Sequence, residues 1–122
     1  MDQTNVFGEP IEECCSHPIT GFFRDGFCRT NKYDQGSHTV CALITEEFLV
    51  FSQSRGNDLS TPRPEYNFLG LQQGQSWCLC AARWIEAHEA GFAPKVHLKR
   101  TNSQALEIVP MDILRKYATD LN

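Results

Sequence analysis

Basic charge is scarce in this chain of 122 residues: 11 Lys and Arg stand against 15 Asp and Glu, a net charge of -4. Proteins that bind nucleic acid usually carry a strong basic excess, so none is expected as a partner. Long apolar runs are missing too. A run such as Val40 to Ile44 falls far short of the roughly 20 residues that cross a bilayer, and no membrane association is expected. The opening MDQTNVFGEP has neither the basic nor the apolar region of a secretory leader, which points to a soluble protein of the cytoplasm. No internal repeat, low-complexity tract or linker appears. Nor is there a C-x₂-C pair, a phosphate-cradling glycine loop, a Ser-His-Asp order or a pair of carboxylates that would fix a reaction type.

What is present suits one ordinary globular domain spanning 1–122. Hydrophobic residues make up 41% and charged residues 21%, and a chain of this length buries a core without staples. Residues 5 to 37 are rich in Gly, Pro, Asp and Asn and read as turns with short strands. Within them, Asp25-Gly26 between aromatic residues has the composition of a tight hairpin over Phe22 to Cys28. His38 to Ile44 reads as a buried strand. A helix follows, capped by Thr45, with Glu46 and Glu47 at the positive end of its dipole and Gly56 as its stop. Trp77 to Cys80 is extended and feeds a second helix from about Ala81 to Ala90, closed by Gly91. Lys95 to Lys99 alternates as a half-buried strand with Leu106 to Val109 as its hairpin partner, and Pro110 opens a third helix. The order of elements implies an α+β fold, a mostly antiparallel sheet with about three helices packed on it.

Six cysteines, at positions 14, 15, 28, 41, 78 and 80, suffice for a disulfide framework, but without an export signal they are expected to be free thiols. Three readings are open for Cys78 and Cys80. They are core packing beneath Trp77 and Trp84, ligands to zinc with His38 and Cys41 or Cys28, or thiol chemistry led by Cys80. Cys80 precedes a helix, where the dipole favours an anion, and Arg83 stands one turn in. Cys14 and Cys15 read as exposed thiols without a task. His97, alternating with Lys95 and Lys99, reads as a solvated surface residue, and His88 as a hydrogen-bonded core residue. Only His38, near Asp34, Ser37 and Cys41, is a candidate for function.

The stretch from Ser54 to Tyr66 is long, irregular and unlike a flexible tether. Asn57, Asp58, Ser60 and Thr61 form turns with neighbouring backbone, and Pro62 and Pro64 stiffen it. Arg55 and Arg63 offer guanidinium forks to a carboxylate or phosphate, with Asn57, Asp58 and Glu65 beside them and Arg24 and Asp25 completing a cleft. A small polar or anionic ligand is the expected partner. A Cys/His metal or thiol-redox site at His38, Cys41, Cys78 and Cys80 is the alternative, and an interaction module whose loop is read by another protein is a third.

The segments TGFFRDGFC, GSHTVCALITEEFL, FSQSRGNDLSTPRPEYNFLGL and WCLCAARW resemble a bacterial family catalogued as a domain of unknown function, number twenty-two thirty-seven. The resemblance runs from about Asn5 to Tyr117. It implies that the family's recurring polar and thiol positions fall here on Cys14, Arg24, Asp25, Cys28, His38, Cys41, Arg55, Asn57, Asp58, Arg63, Glu65, Cys78, Cys80 and Arg83. Where members tend to have adjacent cysteines after the Asp-Gly turn, this chain has Phe27-Cys28. Cys15 and His17 look particular to this sequence.

Overall fold

The computed structural model describes residues 3–121. Its centre is a three-stranded antiparallel sheet in the order β2-β1-β3, with β1 at His38–Leu43, β2 at Ser76–Cys80 and β3 at Lys95–Val96. Three helices accompany it: α1 at Glu46–Ser54, α2 at Ala81–Ala90 and α3 at Met111–Lys116. This is the α+β class. No helix among the described residues is long and apolar enough to cross a membrane.

Capping chemistry sets the helix ends. The Thr45 side chain accepts a hydrogen bond from the Phe48 amide, Glu46 and Glu47 occupy the first turn of α1, and Gly56 turns the chain with φ +85°. Gly91 ends α2 in the left-handed conformation, with φ +86°. Between the two sheet faces the strands divide their side chains by alternation. Val40 and Ala42 of β1, with Trp77 and Leu79 of β2, face a main core closed by Phe48, Phe51, Trp84 and Leu114. Cys41 and Cys78, opposite each other across the strands, face a second cluster with Ile11, Cys14 and Cys28. Fully buried Trp84 anchors α2: its Nε1 donates to the Pro94 carbonyl (3.1 Å), His88 stacks on its face, and Tyr117 meets it edge-on. His88 also exchanges a hydrogen bond with the Tyr117 hydroxyl (2.8 Å), as expected of a core histidine.

The second cluster corrects the expectation of free thiols. Cys14 is bonded to Cys41 and Cys28 to Cys78, leaving Cys15 and Cys80 as the free cysteines. Cys14 is thus buried rather than exposed. These bridges fix the irregular N-terminal third onto the sheet, where it has no ladder of its own. Buried side chains finish the task. Asn5 accepts from the amides of Phe7 and Glu9, and Asn102 donates to the carbonyl of Cys28 and to Gln3 Oε1. A buried polar group is tolerable only when bonded in this way.

Two hairpins do not form. Around Asp25-Gly26 the chain makes successive turns without strands, because Arg24 (φ +54°) and Gly26 (φ +90°) both take left-handed conformations and the Gly26 amide bonds back to Thr20. After Val96 the alternating segment leaves the sheet: the Asp120 carboxylate takes the amides of Leu98 and Lys99, and residues 98–100 and 103–107 coil into 3₁₀ turns. His97 is consequently half-buried, bonded to Thr119 Oγ1 (2.6 Å) and Ser76 Oγ (3.3 Å), rather than a free surface residue.

Candidate functional site

The junction of β2 and α2 has no connecting residue. Cys80 ends the strand and caps the helix, and the Ala81 amide is held by the carbonyl of Ser37 (3.0 Å). The Cys80 side chain makes no capping bond. The following first-turn amides of Ala82 and Arg83 therefore open toward the same end of the helix as its sulfur, where the dipole is positive.

Opposite Cys80 in the ladder stands His38, placed there by an irregularity in β1 between His38 and Val40. The turn before it is built around Asp34, whose side chain is 0% exposed. That carboxylate accepts from the Thr30 hydroxyl (2.9 Å), from the His38 amide (2.9 Å) and at His38 Nδ1 (2.6 Å). A carboxylate on Nδ1 retains the ring proton there, so the neutral imidazole presents Nε2 as its acceptor. Gly36 lies close to both the ring and the thiol. A methyl group on its Cα would sit 3.0 Å from His38 Cε1 and 3.5 Å from Cys80 Sγ, so imidazole and sulfur both border the space that a single side-chain carbon would fill.

A cavity of about 190 Å³ opens beside these groups, lined by His38, Asn57, Leu59, Trp77, Leu79, Cys80 and Arg83. Phe22 stacks along the His38 ring, and the Arg24 guanidinium lies over Trp77, 5.1 Å from the ring centre. Arg83 is steadied by the Arg55 carbonyl (3.1 Å) and Glu86 (3.3 Å). A larger hollow, about 670 Å³, lies on the far side of Asp34, among amide, hydroxyl and lysine side chains. No cysteine or histidine lines it among the described residues.

The residues expected in an anion cleft are dispersed. Asp25 bonds Arg29 and the Phe27 amide. Arg55 lies over Phe51 and pairs loosely with Glu86 (3.7 Å). The Asp58 carboxyl takes the Thr61 hydroxyl and the amides of Ser60 and Thr61. These bonds, the Thr61 hydroxyl foremost, hold its pKa below the usual 3.8. Arg63 and Glu65 are exposed on a short 3₁₀ turn over Pro64–Tyr66. Arg24 donates to the Gly21 carbonyl. Of the seven, Asn57 alone lines the cavity beside Cys80 among the described residues.

The other expected set, His38, Cys41, Cys78 and Cys80, is divided by the disulfides. Cys41 and Cys78 are sealed into the sulfur cluster, while His38 and Cys80 meet at the cavity. A four-ligand zinc site from these residues is not assembled, because β1 and β2 turn Cys41 and Cys78 to the face that the N-terminal segment covers. Asp34, Gly36, Leu59 and Trp77 are additions from the structure. For Asp34 a signal did exist, since it precedes His38 by four residues. A search of curated proteins finds no match to the chain. Residues 4–118 match the family DUF2237, described as "Uncharacterized protein conserved in bacteria". With a match over nearly its whole length, the chain belongs to this family.

Proposed function

We propose that the protein is a thiol enzyme in which Cys80 is the nucleophile, His38 its base and Asp34 the group that orients the imidazole. The observation that carries this reading is that Cys80 Sγ and the Asp34-bound His38 ring, opposite each other in the ladder, both border Gly36 and line one cavity. A nucleophile, a base and a third group orienting the base form the usual arrangement of covalent catalysis by cysteine. In the reaction, the thiol proton passes to His38 Nε2 and the sulfur pair bonds to an electrophilic carbonyl carbon. The displaced π pair becomes an oxyanion facing the amides of Ala82 and Arg83. On collapse, His38 returns the proton to the leaving group.

The substrate is small and anionic. A cavity of about 190 Å³ admits a few heavy atoms, and Arg83 on its wall with Arg24 above Trp77 favours negative charge. The Ser54 to Tyr66 segment contributes Asn57 and Leu59 to that wall. A cytoplasmic location, where thiols are kept reduced, suits a site that depends on a free Cys80.

Competitive alkylation tests the reading, with Cys15 as an internal standard because both free cysteines are partly exposed. Mass spectrometry after a limiting pulse of iodoacetate or iodoacetamide should find Cys80 modified at least about tenfold faster than Cys15, with preference for the anionic reagent. His38→Ala should remove the difference. Equal labelling of the two cysteines in the folded wild type refutes the proposal.

A further inference from the structure

The buried sulfur cluster supports a second site, independent of Cys80. Cys14, Cys28 and Cys78 are buried with their sulfurs all within 4.8 Å of one another, and the fourth sulfur, of Cys41, is bonded to the first. The four arrive from four separate stretches of chain, two from the N-terminal loops and two from neighbouring positions on β1 and β2. We propose that in the reduced protein these cysteines are a tetrathiolate site for one zinc-class divalent cation.

A tetrahedral zinc site with bonds of about 2.3 Å places its sulfurs about 3.8 Å apart. Three of the sulfurs already lie within 4.8 Å of one another, so a site forms once both bridges open and the Cys41 sulfur, held next to Cys14, turns in to join them. Its surroundings are those of a closed structural site. Cys28 and Cys41 are 0% exposed, Cys78 1% and Cys14 4%, and Ile11 and Phe27 exclude water. Buried hydroxyls fix the strand ligands from behind: Thr101 Oγ1 receives the Cys41 amide (3.1 Å) and Thr20 Oγ1 the Cys78 amide (2.9 Å). Outer bonds of this type orient ligand-bearing residues.

The two states interconvert with a defined balance. Two equivalents of a dithiol deliver four electrons and four protons to the two bridges, yielding four thiols and two oxidised reductants. The cation then displaces the four thiol protons. In a reducing compartment the metal would cross-link the same four segments that the bridges join here, and two equivalents of a small-molecule disulfide, taking four electrons from the thiolates and four protons from solvent, would return the bridges and release the ion.

The experiment uses the full chain, reduced under argon with a phosphine and titrated with cobalt(II) chloride. About one equivalent should bind with intense thiolate-to-cobalt charge transfer and tetrahedral visible bands, both erased by zinc. Cys15→Ser and Cys80→Ser should give the same spectrum, and Cys28→Ser should lose at least the charge-transfer intensity of one thiolate. Circular dichroism of the reduced wild type should show a higher Tm with zinc than with a chelator. The proposal is overturned if reduced wild type takes up no cobalt, if the spectrum is octahedral, if Cys80→Ser abolishes it, or if reduction unfolds the chain and zinc does not restore it. Because Cys80→Ser is predicted to retain cobalt while losing selective alkylation, the two sites can fail separately.

Discussion

Removing the bridge between Cys28 and Cys78 gives the sharpest measure of what holds the N-terminal third in place. The perturbation is Cys28→Ala with Cys78→Ala, which leaves neither an unpaired thiol nor a buried hydroxyl. The bridge closes a separation of 50 residues, and loop-closure entropy for that length is worth about 4 kcal/mol. The Cys14 to Cys41 bridge, with a separation of 27, restrains part of the same denatured chain, so the expected loss is nearer about 3 kcal/mol. For a domain of this size the entropy of unfolding is about 0.26 kcal/mol per kelvin, which converts the loss into a fall in Tm of roughly 12 °C. Calorimetry of oxidised wild type and double variant, without reductant, reads it directly. A fall of less than about 4 °C would refute the reasoning: bonds made by Asn5 and Asn102, rather than cross-linking, would then be the main restraint on the loops.

Other expectations follow from single residues. Asp34→Asn should keep the Thr30 and His38 amide contacts largely in place yet slow Cys80 alkylation severalfold, and unchanged kinetics would remove Asp34 from the site. Gly70 has φ +82°, and a methyl there would run into the Ser60 carbonyl, whereas Gly74 at φ +94° has nothing near it. Urea denaturation should therefore show Gly70→Ala costing at least about 1 kcal/mol more than Gly74→Ala. Burial, aided by Arg100 and opposed by Asp120, lowers the pKa of His97 from its ordinary 6.5. The unfolded chain then binds the proton more readily than the folded one, so stability should fall as pH drops through 6.5 and level off below the folded value. His97→Gln should flatten that part of a Tm profile. Exposed Arg63, changed to Ala, should alter stability by no more than about 0.5 kcal/mol.

Elements whose signals are local were legible in the sequence. Thr45 with Glu46 and Glu47, the Gly56 stop and the Gly91 cap each act within one turn, and α1 and α2 lie where those residues place them. The segment after β3 misled because alternation specifies a strand only when an edge accepts it; β1 pairs just two of its residues before Asp120 takes the next amides. Disulfide partners 27 and 50 residues apart leave no periodic trace, and six cysteines permit many pairings. The candidate site was legible in two of its members, His38 and Cys80. Their meeting was not, since it depends on a ladder irregularity and a missing side chain at Gly36. The seven residues of the expected anion cleft have the composition of a binding loop, but Asp25 and Asp58 direct their oxygens to backbone amides and side chains within four residues of themselves.

Both bridges cross the stretch between Cys28 and Cys41, which includes exposed Lys32. A protease that nicks the chain there would produce two fragments still tied at two points. The nicked molecule would run as a single species until reductant was added, and only then come apart.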